Sequence, residues 1–336
     1  MMDISSKTGQ GDFLPLGPDT VLNLVEKATG TRYTNLFRPM NSYINRVFEL
    51  ENEAGEKIIA KFYRPGRWSE QAILDEHRFL VQLAERELPV IAPLALKNGR
   101  TLGVDGRFCF CIFPKCGGRS VDEFTDEQWL ELGRLIGRMH CVGEIDFAHH
   151  RPVMSPDQIT SQQLEFLMKT RCVPKDLKPV LERAIRAIIG DIKDLFKNEK
   201  LIRIHGDCHF ANLIQRPGES LVVIDFDDMA VGPPVQDVWM LLPGGLEDAF
   251  VELDLFLEGY ETFRGFDRKS LRLVEPLRAM RFIHYMAWCA YQVEEDGLTR
   301  AIDGFGSHAY WQKEIEDLFD QRERIASGTF SGGNIL

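Results

Sequence analysis

Three oxygen-bearing side chains fall within one stretch of the chain. Asp207 and Asn212 stand five positions apart in Ile204-His205-Gly206-Asp207-Cys208-His209-Phe210-Ala211-Asn212, and Asp225 follows the apolar run Leu221–Ile224 in Asp225-Phe226-Asp227-Asp228. A carboxylate on a short loop after a strand can accept a hydroxyl proton, and an amide oxygen beside a second carboxylate suits a hard cation such as magnesium. Together these supply two of the requirements of phosphoryl transfer: orientation of an acceptor hydroxyl and neutralisation of a triphosphate. The donor types of His205-x-Asp207-x-His209 also fit a metal cluster, so a metal-dependent hydrolase stands as an alternative, although no second histidine cluster follows Asn212. No Gly-x-x-x-x-Gly-Lys-Ser/Thr run occurs, so a nucleotide would have to be held by other means than a P-loop.

The elements that must position these groups differ along the chain. Ile44–Leu50 and Lys57–Tyr63 flank Glu53-Ala54-Gly55 as a hairpin, and Thr101–Val104 and Arg107–Phe113 form a second one around Asp105-Gly106. Between them Trp68–Glu87 carries apolar residues at helical spacing, stopped by Pro89. Beyond Gly117-Gly118 helical periodicity dominates in Glu127–His140, Ser161–Thr170, Asp176–Phe196, Glu247–Phe263 and Ser270–Val293. Two short strands, near Leu201–Ile204 and Leu221–Ile224, interrupt it and carry the reactive residues on the loops that follow them. Residues 1–115 are therefore expected to form a small β-rich lobe and residues 116–336 a larger, mostly helical one, meeting near Pro114–Gly118. Met1–Asp12 and Ser327–Leu336 read as tails.

The pattern His-Gly-Asp-x-x-x-x-Asn with a downstream strand ending in Asp-Phe-Asp resembles the aminoglycoside phosphotransferase and choline kinase family, relatives of the protein kinases. Asn41-Ser42-Tyr43, Lys61–Pro65 with Arg67-Trp68, Gln236-Asp237 with Trp239–Leu242, and Glu275–Arg281 extend the likeness over roughly residues 13–325, most closely toward a bacterial serine/threonine protein kinase of the stress response. The resemblance implies an α+β, protein-kinase-like bilobal fold and an enzyme that uses ATP and Mg2+. Residue by residue it implies Asp207 as proton acceptor, Asn212 and Asp225 as magnesium ligands, and Ser42 in the loop that meets the ATP phosphates. It also implies Lys61 as the ATP-binding lysine, Glu76 as its partner, Phe113–Gly118 as the hinge for adenine, and Asp237 as a support of the catalytic-loop backbone. Two features depart from the protein-kinase pattern: no Gly-x-Gly-x-x-Gly precedes Lys61, and Asp227 takes the third place of Asp-Phe-Gly. The role of Asp227 toward a metal stays open at this point.

Other residues have plainer readings. Gly133 and Gly137, four apart on one helix, suit close helix packing, and His205 is expected to orient the loop rather than carry protons. Arg278 and Arg281 with His284 read equally as an acceptor surface or as a polar helix face. The 336 residues carry a formal net charge of −11, which excludes non-specific nucleic-acid binding. No apolar stretch is long enough for a membrane span and no signal peptide is recognisable. The 7 cysteines form no paired knuckles of a zinc site and fit a reduced compartment, so a cytoplasmic location is expected; a monomer is expected as well. The acceptor is a protein hydroxyl or, alternatively, that of a small molecule, since fold does not settle substrate. A non-catalytic ATP-binding scaffold is the remaining alternative.

Overall fold

A computed structural model describes residues 13, 15–42, 44–121, 123–216 and 220–327. The expected tails, apart from Ser327, lie outside the described residues, as does Tyr43. The chain begins with helix α1 (Pro18–Thr29), closed by Gly30 in the left-handed region, and strand β1 (Tyr33–Met40). The expected first hairpin follows as β2 (Arg46–Asn52) and β3 (Lys57–Phe62), with Gly55 supplying a positive φ of 82° at its turn. Helix α2 (Glu70–Ala84) starts where Ser69 accepts the Ala72 amide at 3.1 Å, a cap that satisfies one orphan donor of the first turn.

The second hairpin is β4 (Gly103–Asp105) and β5 (Phe108–Pro114). Its register pairs Asp105 with Phe108, so the two-residue loop is Gly106-Arg107, one position later than the sequence suggests. Gly106 has φ 57° at the first central position, as a turn with glycine leading requires. All these strands join one antiparallel sheet in the order β1-β2-β3-β5-β4. Strand alternation then divides the side chains of β3. Ala60 and Phe62 enter the apolar cluster of Phe48, Phe110, Val21 and Val25 beneath α1, while Tyr63 packs with Ile73 of α2 and Cys111 on the opposite face. Lys61, two residues from Tyr63, is thereby turned toward α2.

From β6 (Arg119–Ser120) onward helices dominate: α3 (Asp126–Gly143), α4 (Ser161–Lys169) and α5 (Lys178–Ile192). A capping box of Thr125 and Gln128 begins α3. The short strands β7 (Ile202–Ile204), β8 (Leu213–Gln215), β9 (Leu221–Val223) and β10 (Ala230–Gly232) then frame the reactive loops, with β7 paired to β10 and β8 to β6 and β9. Helices α6 (Val235–Trp239), α7 (Phe250–Glu261), α8 (Val274–Asp296) and α9 (His308–Ser327) complete the chain. The close packing read from Gly133 and Gly137 is present. A Cβ on Gly133 would lie 2.0 Å from the Phe256 carbonyl oxygen of α7, and one on Gly259 would lie 2.1 Å from that of Leu130.

The chain gathers into two compact units. One comprises the described residues from Phe13 to Arg151 together with Leu201–Phe266, and holds the large sheet, α2, α3, α7 and the loops that carry Asp207 and Asp225. The other, from Pro152–Lys200 and the chain from Asp267 onward, packs α4, α5, α8 and α9. There Trp311 of α9 is fully buried and donates its indole N–H to the Cys172 carbonyl at 2.6 Å. In the same unit Gln163 meets His284 at 2.9 Å, and Arg278 lies 3.4 Å from Glu275. Among the described residues no helix is long and apolar enough to cross a membrane.

Candidate active site

Loop 205–212 leaves β7 under tight control. The backbone amides of His205 and Gly206 donate to the two carboxylate oxygens of Asp237 at 2.8 and 2.9 Å, and His140 of α3 reaches the same carboxylate at 3.1 Å. Asp237 and His140 are fully buried, so these bonds operate at low dielectric, where an unmatched charge would be costly. The support read for Asp237 is thus present as hydrogen bonds. Gly206 adopts φ 84°, and a Cβ there would stand 2.4 Å from the Asp228 carbonyl oxygen, so only glycine lets the loop pass so close.

His205 orients the loop as expected. Its Nε2 lies 2.9 Å from the Ile224 carbonyl, which only accepts, and its Nδ1 takes the Asp207 amide at 3.3 Å, which only donates. Those partners specify the neutral ring with hydrogen on Nε2. Both nitrogens are engaged, which removes His205 from the His-x-Asp-x-His metal cluster considered above. Among the described residues no group of three or more His, Cys, Asp or Glu side chains is arranged to hold a metal ion.

Asp207 and Asn212 are joined by a bond from Asn212 Nδ2 to the Asp207 carbonyl at 2.9 Å, and His209 Nε2 stands 3.3 Å from Asp207 Oδ2. The Ile224 amide donates to the Asn212 carbonyl at 3.0 Å, continuing the β8–β9 ladder, so Asn212 lies across from the residue that precedes Asp225. Asp225 itself has φ 61° and ψ 70°, a left-handed conformation that a non-glycine residue adopts at some cost and that concentrates at functional positions. Its side chain is 57% exposed.

Lys61 meets this segment from the sheet. Its Nζ lies 3.2 Å from Asp227, 3.4 Å from Asp225 and 4.0 Å from Glu76. Burial alone would lower the lysine pKa, but the carboxylates of Asp227, Asp225 and Glu76 outweigh it and hold the ammonium above its ordinary value. Burial pushes Glu76 up to about 7, against the pull of Lys61 and Arg151. Glu76 is shared: Arg151 donates to it directly, and Tyr63 donates its hydroxyl at 3.3 Å. Asp227 is the most enclosed carboxylate of the Asp225–Asp228 run, its side chain 7% exposed. Its Oδ2 accepts from Arg67 and from Asn45 Nδ2 at 3.2 Å, its Oδ1 is ion-paired with Lys61, and its carbonyl oxygen takes Arg151 at 2.8 Å. Burial would raise its pKa, but Arg67, Lys61 and Arg151 hold it well below the usual carboxylate range.

The structure thus brings Lys61, Glu76 and Asp225 together directly, and links Asp207 and Asn212 to Asp225 through the backbone. Ser42 is half-buried in the β1–β2 connection, and the ion pairs that gather the other positions do not include it. Arg151 and Asn45 escaped the sequence reading. Arg151 acts on Glu76 from 75 positions away, and no local pattern signals that. Arg67 was visible only as part of a resemblance.

The profile of the phosphotransferase enzyme family matches residues 37–274, from the sheet through the reactive loops into α8. The chain belongs to that family. Stress response kinase A of Shigella flexneri is 34% identical over 310 residues, covering 92% of this chain and 93% of the relative. Serine/threonine protein kinase RdoA of Salmonella typhimurium is 32% identical over the same length and shares. Among solved structures, amicoumacin kinase hAmiN in complex with AMP-PNP, Ca2+ and Ami aligns with a TM-score of 0.73 at 19% identity, over 90% of this chain and 93% of that one. The family member described here therefore has the kinase-like α+β fold expected from its sequence, with an antiparallel sheet toward the N-terminus and helices toward the C-terminus.

Proposed function

We propose that this phosphotransferase-family protein is an ATP- and Mg2+-dependent kinase that transfers the γ-phosphoryl group to serine or threonine hydroxyls of proteins. The observation that carries the reading is the convergence of Lys61 Nζ on Asp225 at 3.4 Å, beside a loop that holds Asp207 and Asn212 in register with the same strand. The name of the Salmonella typhimurium relative, a serine/threonine protein kinase, supports a protein acceptor.

In this reading residues 1–115 serve the nucleotide and residues 116–336 carry the catalytic loop and the acceptor surface. Lys61 and the backbone around Ser42 bind the phosphates, and Glu76 holds Lys61 from behind. The exposed Asp225 carboxylate and the Asn212 amide oxygen form an all-oxygen donor set that fits a hard cation, the Asn212 nitrogen being turned to the Asp207 carbonyl. Bound there, magnesium would neutralise charge on the β- and γ-phosphates. Asp207 accepts the acceptor's hydroxyl proton as the new oxygen–phosphorus bond forms and the bond to the β–γ bridging oxygen breaks.

The test is labelling of a generic protein acceptor from γ-labelled ATP with magnesium, by the wild type and by Asp207→Asn. Turnover is expected to fall by about two to four orders of magnitude in the variant while ATP binding is kept. Equal labelling by both proteins removes Asp207 from the role of base. Label passing only to small hydroxyl compounds would instead make the protein a small-molecule kinase.

A further inference from the structure

The turn between β3 and α2 is built to aim one arginine. In Arg64-Pro65-Gly66-Arg67 the Arg67 amide donates to the Arg64 carbonyl at 3.2 Å, with proline at the second place and Gly66 at φ 82° in the third. That is the pattern of a type II turn. The turn is moored at its start. Asn45 Oδ1 accepts the Arg64 amide at 3.1 Å, and Arg64 Nε donates to the Ile44 carbonyl at 3.0 Å. Asn45 is also the residue whose Nδ2 reaches Asp227 Oδ2 at 3.2 Å, so turn and carboxylate share one support.

From that turn the Arg67 guanidinium spans two neighbouring carboxylates, donating to Asp227 Oδ2 and, at 2.6 Å, to Asp228 Oδ1. Trp68 lies between Arg67 and Arg151, with ring-centroid distances of 5.3 and 4.4 Å to their guanidinium carbons. Asp227 Oδ2 accepts from Arg67, whereas the buried Oδ1 faces the Lys61 ammonium at 3.2 Å without a hydrogen bond. Asp225, by contrast, keeps more than half of its side chain in solvent.

These contacts have a consequence for Lys61. A lysine that leaves a buried carboxylate strands a charge, which is costly unless another cation remains beside it. Arg67 is that cation. We propose that Arg67 is a positioning residue which holds the buried charge of Asp227, so that Lys61 is released to the ATP phosphates. The proposal rests on the reading above that Lys61 meets ATP.

Calorimetric titration of Mg·ATP into the full-length wild type, Arg67→Ala, Asp227→Asn, the double variant and Lys61→Ala tests it, with melting curves to establish folding. Without Arg67 the Asp227 carboxylate retains Lys61, and binding is expected to weaken about tenfold, the scale of one charge-assisted hydrogen bond. Removing the charge of Asp227 as well frees Lys61, so the double variant is expected within about threefold of wild type. A general loss of structure would not be rescued in this way. Should Arg67→Ala not fold, Arg67→Lys, which cannot span two carboxylates, carries the same comparison with a smaller loss.

Unchanged binding in Arg67→Ala, or a double variant weaker than Arg67→Ala, overturns the proposal. Wild-type binding by Lys61→Ala would instead sink the reading of Lys61. Weak binding there, with Arg67→Ala unaffected, removes only the role of Arg67.

Discussion

The loop around Asp207 and the Asp225–Asp228 segment are held in different ways. The loop hangs on one buried carboxylate, Asp237, which collects two backbone amides and an imidazole at 2.8 to 3.1 Å. Each of those bonds has a direction and a fixed partner, so the loop has one arrangement. The Asp225–Asp228 segment is held by side-chain ions, Lys61, Arg67 and Arg151, and its carboxylates range from 7% to 57% exposed. Ion pairs tolerate exchange of partners at small cost where solvent or a second cation can step in. The two modes of support suit the proposed reaction, in which Asp207 is held still and the cations re-pair when a nucleotide arrives.

The sharpest way to break this contrast is Asp237→Ala. It leaves two buried amides and His140 without their acceptor and is expected to cost about 3–5 kcal/mol of stability, read as a lower urea midpoint. A variant that unfolds at the wild-type midpoint would show that the loop does not depend on Asp237. The seam that places His140 is tested by Gly133→Ala. A Cβ there would stand 2.0 Å from a backbone oxygen, with no flexible neighbour to displace. A loss of about 1–3 kcal/mol in melting experiments is expected.

Stability as a function of pH separates the two regions next, because the charged region is flanked by perturbed groups. Burial pushes His77 down to about 3, where its ring rests between the Tyr63 hydroxyl at 3.0 Å and Thr101 at 2.8 Å. The unfolded chain takes up that proton near the ordinary histidine pKa, so the contribution of neutral His77 is present above about 6.5 and is lost as pH falls toward about 3. Glu76, raised by burial to about 7, acts in the opposite sense: the unfolded chain releases its proton first, so stability is lost as pH rises from about 4.5 to 7. Melting curves of His77→Gln should lack the acid-side loss, and those of Glu76→Gln the loss on rising pH. Identical profiles for wild type and both variants would contradict these assignments. The smallest effect is expected at the rim of the sheet, where Lys57→Ala removes an exposed partner of Glu49 that Lys115 still holds at 2.8 Å. No measurable change in melting temperature should follow.

Local chemistry accounts for what was legible in advance. Gly55 and Gly106 mark hairpins because a positive φ is a property of the residue itself, although the second turn sits one place later, where the cross-strand register puts glycine at the leading position. Apolar spacing disclosed α2, α3 and α7, whose buried faces are dense. It was not read in α1, although Val21 and Val25 form a buried face there, nor in α9, where Trp311, Ile315 and Leu318 lie at helical spacing among charged residues; β1 is half-buried or exposed throughout and gives no clear alternation. Gly133 showed its purpose through spacing alone, since a helix face repeats every three to four residues.

The sequence alone singled out Asp207, Asn212 and Asp225 as candidates, because they sit on loops whose lengths are written in the chain, and it determined that Lys61 shares a strand face with Tyr63. Only the tertiary structure decided which charges meet. Arg151 reaches Glu76, Arg67 reaches Asp227 and Asp228, and Asn45 ties a turn to Asp227, across separations of 75 to 182 residues. Coulombic partnership depends on distance in space and on burial, neither of which a spacing pattern carries, so the division between an exposed Asp225 and an enclosed Asp227 appears only once the chain has folded.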